Sequence, residues 1–284
     1  MLAKEVRHFT AALDLQRRVV GLKFLYTWAE YQDSSLQEYG DRTSLCYMML
    51  KASQGQCFKA REYHFTCGRS REALGLVPPK STTISGELYF SCGIYESRAV
   101  AKQVQDEVLS IPQSIYGVEM GPLEELQDAD VGMMVVDAFQ AMRIVQGYAY
   151  CYGAPKNICM VGNQGVCADL AARPYVKNDI NLSVLCAGTR RACKWDRGEL
   201  GIGLPINRFA PVVNGVIQTL NGIEYPTPKD EILQRLESPD ELGIVIDKQV
   251  HYGKNSELWA KKRQEDQERY EAWQKEQNKG AVQL

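Results

Sequence analysis

One run of residues indicates the fold class most directly: Asp130-Val131-Gly132-Met133-Met134-Val135-Val136-Asp137. A short, apolar, β-favouring run of this kind predicts a buried strand. The following residues, from Ala138 to about Tyr150, carry apolar side chains at helical spacing and predict a helix. Asp137 either caps that helix or is a functional group at the end of the strand, and we favour the cap.

The rest of the chain continues this alternation of strands and helices. We expect strands at 19–26 and 181–188, a strand or an extended segment at 85–93, and extended chain at 201–206. We expect helices at 4–18, 45–52, 97–109 and 209–220. Two blocks, 13–112 and 128–222, repeat one order: strand, helix, a loop with a cysteine, a strand ending in a cysteine and a glycine, and a helix. Either an internal duplication or a chance resemblance between short segments accounts for this order.

The predicted architecture is α/β (or α+β), with a cysteine-rich domain at 1–225 and a helical extension at 226–284. The extension contains a polar helix at 228–237, a short strand at 243–247 and a highly charged helix at 256–277. Its Trp259, Tyr270 and Trp273 lie close to one helical face. That face either docks on the body of the protein or makes a homo-oligomer contact.

Composition excludes several classes of function. The chain has 284 residues, a formal net charge of -2 and 24% charged residues, so a nucleic-acid partner has no electrostatic support. No apolar run approaches the roughly 20 residues that a membrane-spanning helix needs. The first residues lack the apolar core of a signal peptide, and we expect a cytoplasmic protein without a membrane partner.

Nine cysteines are the strongest chemical signal in the sequence. In a reducing compartment, many thiols indicate metal binding or redox chemistry more often than disulfides. The preferred ligands are Cys46, Cys67, Cys167 and Cys186, which could surround a [4Fe-4S] cluster as four ligands or leave one iron open as three. Cys92 competes with Cys46 if the two blocks are duplicates. The alternative is that these cysteines are small buried hydrophobic residues.

A zinc site is the second metal hypothesis. Cys57, His64 and Cys67, with Cys46 as the fourth ligand, supply suitable donors, although no Cys-x2-Cys pair is present. Cys193 lies among cationic residues and is interpreted as an ordinary exposed cysteine or a reactive thiol.

Three charged residues are candidates for catalysis. Arg190 lies two residues after Gly188, at the end of a predicted strand, where a guanidinium can clamp a carboxylate or phosphate. A salt bridge to Asp196 or Glu199 is the structural alternative. Asp169 and Glu199 are the acids that we would test as proton carriers.

The chain resembles DUF family 169, a bacterial and archaeal domain of unknown function. The resemblance spans about Leu13 to Leu220, and its most specific piece is Cys186-Ala187-Gly188-Thr189-Arg190 with the downstream Glu199 and Leu204-Pro205. Weaker pieces are Val19–Leu25, Leu45–Leu50, Cys67-Gly68 with Leu74-Gly75-Leu76, Ser85-Gly86, Gly165–Asp169 and Ser183–Leu185. This resemblance implies a domain identity and no particular chemistry.

The leading functional hypothesis is therefore an iron–sulfur enzyme, an oxidoreductase or a lyase, that acts on a small anionic molecule. In this hypothesis the cysteines hold the cluster and Arg190 holds the substrate. One alternative is a non-catalytic accessory protein that binds a metal or a small molecule. Another is a redox thiol protein without metal.

Overall fold

The computed structural model describes residues 2–126, 128–248 and 257–281. The chain divides into two compact units, Met1–Ile217 and Gln218–Leu284. The first unit contains a six-stranded sheet, and the second is helical. The expected combination of helices and sheet with a C-terminal helix is confirmed. The predicted boundaries of the two halves within the first unit stay a prediction.

The sheet has the strand order β2-β3-β1-β4-β6-β5, and every neighbouring pair is antiparallel. The strands are β1 (Val20–Leu25), β2 (Phe58–Arg61), β3 (Gly117–Pro122), β4 (Val131–Val136), β5 (Asn181–Ser183) and β6 (Leu200–Pro205). All twelve residues of β3 and β4 are buried. Both strands therefore lie in the interior of the unit.

The helices of the first unit are α1 (Ala3–Leu13), α2 (Trp28–Asp33), α3 (Leu45–Ser53), α4 (Gly68–Ala73), α5 (Ser81–Ile84), α6 (Glu87–Ser91), α7 (Arg98–Glu107), α8 (Ala138–Tyr152), α9 (Arg173–Lys177), α10 (Ala187–Cys193) and α11 (Ile206–Gln218). A 3-10 turn covers Glu62–His64, and a π-helix covers Val166–Ala172. Asp137 caps α8, because its carboxylate accepts the backbone N–H of Gln140 at 2.7 Å. The favoured interpretation of Asp137 is confirmed.

The strand order repeats within the sheet. In each set of three, the first strand lies at the centre, the second at the edge and the third between them. The register repeats as well, as four Cα pairs show: Val20 with Pro122, Val131 with Pro205, Phe58 with Met120, and Asn181 with Gly203. The two sets meet where β1 pairs with β4, with Gly21 opposite Gly132. The first set extends to Pro122, beyond the predicted half at 13–112.

Helices cover both faces of the sheet. On one face, alternate residues of β1 and β4 pack with α3, α4 and the π-helix in a single apolar core. On the other face, a Cβ atom at Gly132 would contact the ring of Phe209 in α11 at 3.4 Å, and Phe209 packs edge-on against Phe9 of α1. The cysteines considered below lie on the face of α3, α4 and the π-helix.

Several sequence predictions are corrected by the structure. Residues 85–93, predicted as a strand or an extended segment, contain α6, and Gly86 is the N-cap of this helix with a left-handed φ of 77°. The strand predicted at 181–188 ends at Ser183, and Cys186 is the N-cap of α10. Strands β2 and β3 were not predicted at all.

The second unit contains α12 (Leu220–Ile223), α13 (Pro226–Arg235), a 3-10 turn (Pro239–Leu242) and α14 (Glu257–Ala281). The strand predicted at 243–247 is absent from this described segment. Side chains hold the segment instead: the buried Lys229 ammonium donates to the carbonyl of Asp247 at 2.7 Å, and the Asn221 amide donates to that of Val245 at 2.7 Å. Across the described residues, no helix combines the length and apolar character needed to cross a membrane.

Helices α8 and α11 pack closely because each has a glycine at the contact. A Cβ atom at Gly215 would lie 2.1 Å from the carbonyl oxygen of Gly147. We expect Gly215→Ala to lower the free energy of unfolding by about 2 kcal/mol or more, because two rigid backbones would have to separate. Urea denaturation measures this change. Gly40→Ala, at an exposed position with open space around it, is the control. Equal midpoints for both variants would contradict the packing described here.

Candidate functional site

The four cysteines preferred from the sequence occupy related places in the two sets of strands. Cys46 lies in α3, between β1 and β2, and Cys167 lies in the π-helix, between β4 and β5. Cys67 follows β2 as the N-cap of α4, and Cys186 follows β5 as the N-cap of α10. Each set therefore contributes one cysteine from within a helix and one from the start of a helix.

Thr189 joins two of these cysteines. Its hydroxyl oxygen is 2.8 Å from the sulfur of Cys46 and 3.1 Å from the sulfur of Cys186. Thr189 is 1% exposed, and its backbone N–H donates to the Cys186 sulfur at 3.4 Å. Residues 143 positions apart in the sequence thus meet around one buried hydroxyl.

Burial and neighbouring cysteines raise the pKa values of the Cys46 and Cys167 thiols. Burial raises the pKa of the Cys46 thiol well above its ordinary value, and the neighbouring Cys167 and Cys186 raise it further. Burial also raises the pKa of Cys167 to about 12, with additional contributions from Cys67 and Cys186. The helices that carry them pack in pairs, α4 on the π-helix and α10 on α3. We call Cys46, Cys67, Cys167 and Cys186 the cysteine cluster.

Cys193 is a fifth thiol that the sequence interpretation placed wrongly at the surface. It is 6% exposed at the end of α10, and burial together with the adjacent Cys186 raises its pKa to about 12. A spacing of seven residues puts both cysteines on one face of a helix. That spacing is the signal from which its position could have been predicted.

The cysteine sulfurs are close but are not arranged as ligands around one point. In the ranges that the structure describes, no three side chains of His, Cys, Asp or Glu are placed to hold a metal ion. Exposure also differs within the cluster, since Cys167 is buried, Cys46 and Cys186 are half-buried, and Cys67 is exposed. A metal would therefore require the side chains to turn.

The alternative ligands lie elsewhere. Cys57 and His64 flank opposite ends of β2, where the Cys57 thiol donates to Glu125 and the His64 ring accepts the backbone N–H of Arg61. Cys92 is exposed at the C-terminal end of α6. Strand β2 thus separates two of the residues proposed for zinc.

The backbone beside Cys186 is strained and closely packed. Leu185 is buried and has a φ of 61°, a left-handed conformation that non-glycine residues seldom adopt. A Cβ atom at Gly165 would lie 2.8 Å from the Thr189 hydroxyl and 3.5 Å from the Cys186 sulfur. Backbone strain of this kind concentrates at functional sites, as do π-helices.

The acid Asp169 lies in the same π-helix as Cys167. It is 5% exposed, and its carboxylate accepts the Ser183 hydroxyl at 2.6 Å. Burial raises its pKa to about 7, while Ser183 and Arg173 oppose this change. Its predicted role as a proton carrier stays a prediction.

Arg190 and Glu199 hold the segment that follows α10. The Arg190 guanidinium donates to the backbone carbonyls of Asp196, Val184 and Glu199. The Glu199 carboxylate pairs with Arg17 and accepts the backbone N–H of Asp196. Both side chains therefore stabilise this segment, and their predicted catalytic roles stay predictions.

Comparison with known proteins agrees with the resemblance inferred from the sequence. The family model of DUF169, described as "Uncharacterised ArCR", matches residues 8–215. A curated relative from Methanocaldococcus jannaschii, "Uncharacterized protein MJ0308", is 24% identical over 139 residues, which are 49% of this chain and 60% of the relative. No solved structure matches the chain significantly. The chain belongs to DUF family 169.

Proposed function

We propose that the cysteine cluster binds an iron–sulfur cluster in an enzyme that acts on a small anionic molecule. The observation that carries this proposal is the convergence of Cys46, Cys67, Cys167 and Cys186 from four separate segments. Sets of four sulfur donors are typical of iron–sulfur and zinc sites. The bound group would supply electron transfer or Lewis acidity.

Binding requires a rearrangement around Thr189. Its hydroxyl lies between Cys46 and Cys186, so both thiol side chains must turn towards the metal. The hydroxyl can then donate to a thiolate, and hydrogen bonds to sulfur tune the potential of such centres. Metal binding also removes the thiol protons, because thiolates are the ligands.

Asp169 is the acid that we propose for proton transfer near the cluster. It shares the π-helix with Cys167, and Ser183 fixes its carboxylate. A positioned carboxyl group within reach of a substrate can accept or deliver a proton. The oxidoreductase and lyase alternatives both use such a group.

A cytoplasmic location belongs to the same proposal. All nine cysteines are unpaired in the structure, as expected in a reducing compartment. A non-catalytic protein that binds a metal or small molecule is the alternative, and the absence of turnover by the loaded protein would favour it.

Anaerobic purification tests the metal site. We expect iron, acid-labile sulfide and near-visible absorption in the wild-type protein, because the cluster supplies four thiolate ligands. Cys186→Ser should lose most of the iron, whereas Cys159→Ser, outside the cysteine cluster, should retain it. A colourless wild-type sample without iron, or equal iron in both variants, would contradict the proposal.

Alkylation provides a second test that does not depend on activity. Cys67 and Cys92 are both exposed, but only Cys67 belongs to the cysteine cluster. We expect the metal-loaded protein to protect Cys67 from iodoacetamide and to leave Cys92 reactive, because a coordinated sulfur is a poor nucleophile. Peptide mass spectrometry before and after metal removal measures both sites. Unchanged labelling of Cys67 would rule it out as a ligand.

We also propose that α14 makes a homo-oligomer contact. Tyr270 and Trp273 stack with ring centroids 5.7 Å apart, yet they are 50% and 52% exposed. The side chain of Trp259, expected on the same face, lies outside the described residues. Exposed aromatic side chains are enriched at protein interfaces.

Sedimentation tests this contact. The wild-type protein should sediment as an oligomer, and Trp273→Ala should shift it towards the monomer because the main apolar group of the contact is lost. Gln274→Ala, which removes an exposed polar neighbour, should leave the mass unchanged. A monomeric wild-type protein would refute the proposed contact.

A further inference from the structure

We propose that Arg69, Tyr89 and Gln105 form a binding site for the carboxylate group of a small molecule, beside the thiol of Cys167. The inference deepens the proposed function, and the identification of this molecule as a substrate rests on that function. The three residues come from α4, α6 and α7, and none of the three was a candidate site residue in the sequence.

The residues form one connected polar group. The Arg69 guanidinium donates to the Gln105 side-chain oxygen at 3.3 Å and lies over the Tyr89 ring at 5.9 Å. The Tyr89 hydroxyl also accepts the side-chain amide of Gln164, which is 1% exposed, at 3.2 Å. Helix α4 and the loop before the π-helix therefore meet at Tyr89 of α6, and α7 joins them through Arg69.

Two hydrogen-bond donors in this group are left without a partner. The Nε of Arg69 and the side-chain nitrogen of Gln105 are fully buried and meet no acceptor among the described residues. Gln105 as a whole is 7% exposed. Unsatisfied buried donors are rare and costly in native proteins. Because both nitrogens are closed off from solvent, a ligand oxygen reaches them only when the surrounding side chains move.

The two unsatisfied donors indicate which chemical group the ligand carries. A guanidinium N–H and an amide N–H can both donate to one carboxylate, and such charge-assisted bonds are the stronger ones. The nearest acid, Glu72, is already engaged by another Arg69 nitrogen and by the hydroxyl of Thr83. Glu72 therefore pairs with one Nη of the guanidinium, and the Nε–H of Arg69 remains available to the ligand.

The site adjoins the cysteine cluster. Helix α4, which carries Arg69, packs against the π-helix that carries Cys167. Burial raises the pKa of the Tyr89 phenol, Arg69 and Gln164 oppose this change, partly through hydrogen bonds to the phenol oxygen, and Cys167 adds to it. Cys67 precedes Arg69 by two residues. A molecule whose carboxylate is held by Arg69 and Gln105 would lie beside the two helices that carry these cysteines.

This assignment replaces Arg190 as the group that holds the substrate charge. The Arg190 guanidinium already donates to three backbone carbonyls, whereas Arg69 has a buried N–H to spare. If this assignment is right, anion binding depends on Arg69 and not on Arg190.

Acetate is the probe for the test, with the full-length protein purified anaerobically. Its affinity is measured from the rise in the thermal unfolding midpoint over sodium chloride at equal ionic strength. Acetamide, which has the same shape without the charge, should give no rise. We expect Gln105→Met to weaken acetate binding about tenfold or more, because it removes one donor to a charged group. Gln103→Met on the exposed face of α7 and Arg190→Lys should both bind acetate as the wild type does.

Several outcomes would overturn the inference. One is an unfolding midpoint of the wild type that is the same in acetate as in sodium chloride, and another is a rise in this midpoint that acetamide produces equally. A third is acetate binding that survives in Gln105→Met and is lost in Arg190→Lys. If Gln105→Met does not fold, nitrogen-15 spectra of the wild type decide, because acetate should shift the Arg69 Nε–H signal and leave that of Arg190 unchanged. Iron is measured in the same samples. Acetate binding by a protein without iron supports this inference and refutes only the metal proposal.

Discussion

The close approach of the π-helix to β6 is the constraint on which the candidate site depends. A Cβ atom at Gly203 would lie 2.2 Å from the carbonyl oxygen of Leu170, and one at Gly201 would lie 2.7 Å from the Leu170 side chain. Glycine is required at 203, because a Cβ there would meet backbone, whereas at 201 a Cβ would meet the ends of the Leu170 and Leu185 side chains. This contact fixes Cys167 and Asp169, and through them the side of the cluster that faces Tyr89.

The repeated strand order explains why the cysteines meet. Helix α4, from the first set of strands, packs against the π-helix of the second set, and α10 from the second set packs against α3 of the first. Each contact brings one cysteine from each set together. The cysteine cluster therefore lies where the two sets join, as expected of a site built from related halves. Descent from a duplicated segment stays a prediction.

The central strands and the long helices could be predicted because their apolar residues have a clear period or form a continuous run. Strands β2 and β3 could not be predicted in this way. Strand β2 has only four residues, and β3 contains Glu119, which is buried opposite Lys23. The π-helix was missed because all seven of its residues are buried, so no amphipathic pattern marks it.

The candidate site could be predicted from the sequence only in part. The number of cysteines and their positions indicated Cys46, Cys67, Cys167 and Cys186, since thiols are rare enough to stand out in a sequence. The predicted role of Arg190 relied on its place after a strand, but its hydrogen bonds depend on the turn that follows α10. The group around Tyr89 depends on tertiary contacts between short helices, which leave no pattern in the sequence.

An anomalous-difference map at the iron edge, from crystals grown without oxygen, tests the central claim most directly. The account predicts iron density bonded to the sulfurs of Cys46, Cys67, Cys167 and Cys186. Absence of such density, with the Thr189 hydroxyl still between the Cys46 and Cys186 sulfurs, would contradict it.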